Sequence, residues 1–224
     1  MVTTLCLVRH GETEGAEIPR YKGSLDVAMS ARGHEQVRRT AGRLRDYLAE
    51  LISDRRHSYL RAVHADSDGE GGTGLDAVYC SPLIRALNSA EYIAAPHGLE
   101  PVVVTDLRER DFGEWEGLSF GEIRKAYPEA FAAWAADPVN FAPPGGETTL
   151  GVARRAEAAL TAILDRHRGQ NLALVAHGGI NRVILCHLLG VPLANIFRIE
   201  QDLACFNIIE FWDQLPVVKL LNGL

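Results

Sequence analysis

The chain lacks the features that mark several classes of protein. Its 224 residues hold only four cysteines, Cys6, Cys80, Cys186 and Cys205. They are far apart and form no C-x-x-C pair, so each reads as a buried, reduced thiol of the kind a cytoplasmic protein keeps. No apolar run approaches the length of a membrane span. The run Leu5 to Val8 is too short for a signal-peptide core and is interrupted by Arg9-His10. An excess of positive charge is also missing. The net charge of -6 argues against a general nucleic-acid or anionic-membrane surface, although it leaves room for a local cationic pocket. No repeat of solenoid period is present, and no cluster of His, Cys, Asp and Glu has metal-ligand spacing. The expectation is a soluble cytoplasmic protein with no cofactor and no metal, binding neither nucleic acid nor membrane.

What is present suffices for a substantial core. Hydrophobic residues make up 47% and charged residues 23%, the balance of one large domain or one domain carrying an inserted lobe. Short apolar runs at Leu5–Val8, "LDAVYC", "PVVVT" and "NLALVA" read as buried strands. "CFNIIEF" and "PVVKLL" complete the strand set. Between them lie helical patterns. From Ser30, a plausible N-cap, Val37, Ala41, Leu44, Leu48 and Leu51 recur at helical spacing. Ser81-Pro82 gives a cap followed by proline at the first helical position, opening a helix to about Ala95. A further helix spans about 147–168, with Leu150, Ala153, Leu160 and Ile163 on one face. Residues 64–74, with four glycines, read as a flexible surface loop. Residues 107–146, rich in aromatics and ending in Pro-Pro-Gly-Gly, read as an inserted helical lobe. Strands alternating with helices predict an α/β fold, a three-layer sandwich around a mostly parallel sheet, with residues 1–224 as a single domain.

Two predicted strand ends are alike: Leu-Val-Arg9-His10-Gly11 and Val-Ala-His177-Gly178-Gly179. Ligands in such sheets bind beyond the carboxyl ends of strands, so both histidines can share one site, with the glycines letting a ligand approach the backbone. Arg85, in the opening turns of a helix, sits where the dipole disfavours a cation, and a bound phosphate supplies a reason for it. The segment "DLRERDFGEWEG" offers Asp106, Glu109, Asp111, Glu114 and Glu116 as acids. Spacing alone does not choose among them.

These residues together resemble the histidine phosphatase superfamily, in its phosphoglycerate-mutase-like branch, over roughly residues 5 to 212. "LVRHGET", "GSLDVAMSARG", "YCSPLIRA", "LRERDFGEWEG", "PPGGET" and "LVAHGG" occur in the family's order, which is far more specific than a lone R-H-G. The resemblance implies that His10 is a nucleophile that becomes a phosphohistidine. It implies that Arg9, Arg85 and His177 surround the phosphoryl oxygens and that Glu109 is the general acid and base. It further implies a substrate-binding set of Thr13, Lys22, Gly23 and Gly178. Phe112 and Trp115, nearest Glu109 in sequence, are candidates for substrate contact, while most of the lobe's aromatics read as its own small core. Lys22 reads either as a pocket residue or as a solvated loop lysine.

One position departs from the family pattern. The usual R-H-G-E-[ST]-x-x-N asparagine is replaced by Ala16, which removes one phosphate hydrogen bond. The resemblance leaves three activities open: hydrolysis of a small phosphomonoester, transfer within a phosphoglycerate by a mutase, and mere binding at a weakened site. Residues 118–146 hold only Arg124 and Lys125 as basic residues, where the mutases carry a longer, more basic insertion. The phosphatase members, among them α-ribazole phosphatases and broad-specificity phosphatases, are therefore the favoured comparison. A small phosphomonoester is the implied partner, and a homodimer is an open assembly.

Overall fold

A computed structural model describes residues 1–54 and 74–224. Its centre is a six-stranded sheet: β1 (Val2–Arg9), β2 (Ala77–Cys80), β3 (Val102–Val103), β4 (Asn171–Ala176), β5 (Phe206–Trp212) and β6 (Leu215–Gly223), in the order β3-β2-β4-β1-β5-β6. The strands β1 to β4 run parallel, while β5 and β6 are antiparallel additions at one edge.

Alternation along β1 explains the layering, since neighbouring side chains point to opposite faces of a sheet. Leu5 and Leu7 face one layer with Leu172 and Leu174 of β4. Cys6 and Val8 face the other with Ala173 and Val175. The first face is covered by α5 (Thr149–Arg166) through Val152, Ala156, Leu160 and Ile163, and by α6 (Gly178–Leu189) through Ile180, Val183 and Ile184. The second is covered by α1 (Ala31–Asp54) through Ala41, Leu44 and Leu48, and by α2 (Ile84–Ala94) through Ala90 and Ile93. With both faces covered, the inner strands carry continuous apolar runs, Leu5–Val8 in β1 and Leu172–Ala176 in β4, as the sequence predicts. The four cysteines are buried free thiols. Among the described residues, no helix is long and apolar enough to cross a membrane.

Ser30 caps α1 as expected, its Oγ accepting from the Gly33 N–H at 3.0 Å. The long helix predicted from 147 starts at Thr149, where Thr148 accepts from the Gly151 N–H at 2.9 Å. Between β3 and α5 the chain forms two short helices, α3 (Phe120–Ala126) and α4 (Pro128–Ala136), with 3₁₀ turns at Thr105–Leu107 and Gly113–Trp115. Ser119 and Glu122 form a reciprocal capping box that starts α3.

Two expectations need correction and one is not tested. The "PVVVT" segment is not a buried strand: β3 is two residues long, at the sheet edge, with Val102 and Val103 each 49% exposed. Ser81 does not cap a helix that opens at Pro82. The helix begins at Ile84 after Leu83, and Ser81 is drawn into the sheet's active edge instead. The segment 64–74 lies outside the described residues except for Gly74.

Candidate active site

The register of β1 against β4 pairs Arg9 with Ala176, and the His10 N–H donates to the Ala176 carbonyl at 3.1 Å. Two adjacent parallel strands therefore release His10 and His177 side by side, with ring centroids 5.1 Å apart and edge to face. Nδ1 of His10 lies 2.6 Å from the Gly11 carbonyl. A carbonyl only accepts, so Nδ1 carries the proton and Nε2 keeps its lone pair. His177 is fully buried, and its Nε2 lies 2.7 Å from Ser81 Oγ. Its Nδ1 is buried without a protein partner.

Two arginines complete the strand-end cluster, each held by backbone carbonyls. Arg9 donates to the Gln201 carbonyl. Arg85 is 2% exposed and donates to the Gly23 and Leu25 carbonyls, both at 2.6 Å. Gly23 is required by conformation: its φ is +45°, and a Cβ there would stand 2.1 Å from Glu116 Oε1. That carboxylate accepts from the Ser24 N–H at 2.6 Å and the Phe112 N–H at 3.1 Å, tying the loop that holds Arg85 to the lobe.

Among the carboxylates that spacing left open, Glu109 is the one that lines the cavity at His10; His177 lies buried behind it and does not line the cavity. Glu109 Oε1 accepts from the Arg110 N–H at 2.8 Å, and its Oε2 from the Gly179 N–H at 2.9 Å at the start of α6. Each oxygen thus keeps a lone pair for a proton. Asp111 bonds the Gly113 N–H at 2.7 Å, while Glu116 is consumed as described.

Burial is the leading cause that pushes both histidines well below the ordinary imidazole value; Arg9 and Arg85 push His10 further down, and His177 feels His10 and the same two arginines. Both rings are therefore neutral at neutral pH. Burial also lowers Arg9 and Arg85, with Glu109 opposing it in each case, but a guanidinium stays protonated. A neutral nucleophilic nitrogen flanked by two fixed cations suits attack on an anionic electrophile.

The cavity at this edge has a volume of about 590 Å³, and Arg9, His10, Thr13, Lys22, Gly23, Arg85, Glu109, Phe112 and Gly178 all line it, as does Ala16. Lys22 points inward: its ammonium donates to Thr13 Oγ1 and the Glu14 carbonyl. Burial first, then Arg85, lowers its pKa. Trp115 is not brought to the cleft. It is 2% exposed, stacked on Phe141 at 5.7 Å within the lobe. The glycines after the histidines are also needed for packing. A Cβ on Gly11 would meet the Gly33 carbonyl oxygen of α1 at 2.4 Å, and one on Gly178 would stand 3.3 Å from the Arg9 guanidinium. Sequence reasoning missed Ser81, Gln201, Arg182, Trp134 and Phe197. Arg182, one turn into α6 from Gly178, carried a periodic signal; Gln201 and Phe197 carried none.

An α/β sheet whose parallel strands end in two neutral histidines beside two arginines defines a class of enzymes that handle phosphoryl groups. The chain matches the profile of the histidine phosphatase superfamily (branch 1) over residues 5–65 and 69–223. It is 32% identical over 218 residues to phosphoserine phosphatase 1 of Hydrogenobacter thermophilus, covering 97% of this chain and 91% of that protein. With the adenosylcobalamin/alpha-ribazole phosphatase of Escherichia coli it shares 25% over 219 residues, 98% of this chain and 95% of the relative. Other relatives are longer: the chain spans 54% of a bifunctional protein of Mycobacterium tuberculosis to which it is 34% identical. The solved structure of Bacillus stearothermophilus YhfR superposes with a TM-score of 0.80 at 27% identity, covering 99% of this chain and 98% of that one. The chain belongs to the histidine phosphatase superfamily, branch 1, and is a phosphomonoesterase of that type.

Proposed function

We propose that the protein hydrolyses small phosphomonoesters in two steps through a phosphohistidine at His10. Nε2 of His10 attacks phosphorus, the bond to the leaving oxygen breaks, and Glu109 as the acid gives that oxygen its proton. Glu109 as carboxylate then takes a proton from water, the water oxygen bonds to phosphorus, and the N–P bond breaks to regenerate neutral His10. Arg9, Arg85 and His177 hold the equatorial oxygens, where charge spreads during transfer. The Gly178 N–H at the start of α6 and the cation of Lys22 add donors. The observation that carries this reading is the 2.6 Å contact from His10 Nδ1 to the Gly11 carbonyl, which fixes the tautomer and reserves Nε2 for attack. Four buried free thiols suit a reducing compartment, and the cytoplasm is the proposed location.

Rapid acid-free quenching with a ³²P-labelled ester tests the proposal. The expected result is a base-stable, acid-labile phosphoenzyme in the wild type and none in His10→Ala, together with steady phosphate release. Phosphate release that survives His10→Ala refutes the nucleophile. Isomerisation of 3-phosphoglycerate without phosphate release refutes hydrolysis in favour of a mutase.

A further inference from the structure

Beyond the phosphate clamp, the cavity changes character. Its outer wall is built by side chains from separate parts of the chain: Ile18 from the loop after β1, Phe120 from α3, Trp134 from α4 and Phe197 from the 3₁₀ segment Leu193–Arg198. Ile18, Phe120 and Phe197 are 54%, 49% and 62% exposed. Trp134 meets Phe197 edge to face at 5.9 Å, which joins the lobe to the segment after α6 across the cleft mouth. Large apolar side chains left in water at one concave place mark a site for an apolar ligand group.

The three arginines near that wall already make hydrogen bonds to the protein. Arg20 donates to the Gly117 carbonyl at 2.7 Å and to Glu122 at 2.6 Å. Arg110 spends its nitrogens on the Glu147 carbonyl, Thr149 and the Phe141 carbonyl, at 2.8 to 2.9 Å. Arg182 donates to the Ile199 carbonyl at 2.7 Å and to Glu200 at 3.0 Å. A second acid group on a substrate competes with Glu122 for Arg20 and with Glu200 for Arg182, whereas an apolar group needs only the wall.

We propose that the outer cavity binds the leaving group by apolar contact, so that the favoured substrates are monoesters of aromatic or bulky hydrophobic alcohols rather than of amino acids or hydroxy acids. The proposal rests on the phosphatase reading above and specifies its substrate class. It separates this chain from what the name of its phosphoserine phosphatase relative describes.

The test compares n-propyl, n-hexyl and 2-phenylethyl phosphate with phosphoserine. The three alcohol esters share a primary alkoxide leaving group, so their chemistry is nearly constant and kcat/KM reads binding of the tail. The expected rise from propyl to 2-phenylethyl phosphate is about tenfold or more, as for added carbons in an apolar pocket. Phe197→Ala and Trp134→Ala are each expected to lower the ratio of 2-phenylethyl to propyl ester severalfold. Phe197 is exposed enough that its truncation leaves the fold intact, which circular dichroism checks. A flat series, a ratio unmoved by both variants, or a higher kcat/KM for phosphoserine overturns the substrate class while a phosphohistidine still forms. If no ester yields phosphate or a phosphohistidine, the phosphatase reading falls and this inference falls with it.

Discussion

Replacing Ser81 with alanine tests how the second histidine is oriented. Ser81 Oγ stands 2.7 Å from His177 Nε2 and also accepts the Leu83 N–H at 3.3 Å. The expected arrangement gives the hydroxyl's single hydrogen to Nε2, which places the imidazole proton on Nδ1. That Nδ1 has no partner among the described residues and is buried beside His10, and in the proposed mechanism it donates to a phosphoryl oxygen. Removing the hydroxyl frees the ring to take the other tautomer, and the donor turns away from the substrate.

The size of the effect follows from the kind of bond lost. A hydrogen bond to a charged group contributes about 1.5–3 kcal/mol, which corresponds to a fall in kcat/KM of about 10- to 150-fold. An unfolding free energy lower by about 1–3 kcal/mol accompanies it, because Nε2 becomes a buried group without a partner. Steady-state kinetics with a phosphomonoester, urea denaturation, and ¹⁵N spectra of the imidazole distinguish these effects. A Ser81→Ala enzyme within twofold of wild type, or a wild-type spectrum with the proton of His177 on Nε2, refutes the reasoning.

Other consequences follow from the same geometry. Glu109→Gln should lower kcat by about 10²- to 10⁴-fold for alkyl phosphates, the usual worth of general acid–base catalysis. The loss of its first step should be smaller for p-nitrophenyl phosphate, whose leaving group needs no proton; equal losses in a single-turnover assay would remove Glu109 from the acid role. His10 and His177 have lowered pKa values in the folded protein, so below about pH 6.5 the unfolded chain binds their protons first. Stability is then lost at ~1.4 kcal/mol per pH unit per histidine down to the folded values, and a thermal melt series in which His177→Asn retains the full acid slope would contradict this. Gly33→Ala places a Cβ 1.9 Å from the Glu12 carbonyl oxygen; the forced parting of α1 from the catalytic loop should cost about 1–3 kcal/mol, read by denaturant titration. Ala16→Asn should lower KM by restoring a phosphate donor, and Lys22→Ala should raise KM more in the wild-type chain than in the Ala16→Asn variant. Additive effects in that double-mutant cycle would show that the lysine does not stand in for the missing amide.

The inner strands and the two histidines were legible because their signals are local. An apolar run that stops at Arg-His-Gly marks both a buried strand and its end, and β4 matches the "NLALVA" run residue for residue. The errors arise where a local pattern has two tertiary outcomes. Three consecutive valines cannot report whether a strand has neighbours on one side or two, and Val102–Val103 pairs only with β2. Ser81-Pro82 carries the grammar of a helix start, but the hydroxyl finds His177 from a distant strand end, and the helix waits until Ile84. Trp115 is close to Glu109 in sequence yet does not line the cavity: past Gly113, at φ +53°, its indole stacks on Phe141 within the lobe. Gln201 and Phe197 reach the site only through the return of the chain after α6, which no short-range pattern encodes.

The two halves of the cavity are built by different means, and this separates what each half can control. In the clamp, cations are fixed before substrate arrives: Arg9 hangs from the Gln201 carbonyl and Arg85 from the Gly23 and Leu25 carbonyls. Such groups need little reorganisation as charge develops on the phosphoryl oxygens. A lost carbonyl contact therefore acts on the transition state and appears in kcat. The outer wall is held differently, since its side chains come from a loop, two short helices and a 3₁₀ segment and its rings are linked by aromatic contacts, Trp134 to Phe197 directly and Phe120 to Trp134 through Phe131. Substitution there changes which tail is buried while the reacting atoms stay in place, so its effect falls on the ratio between esters. In the proposed enzyme, the clamp sets the reaction and the wall selects the substrate.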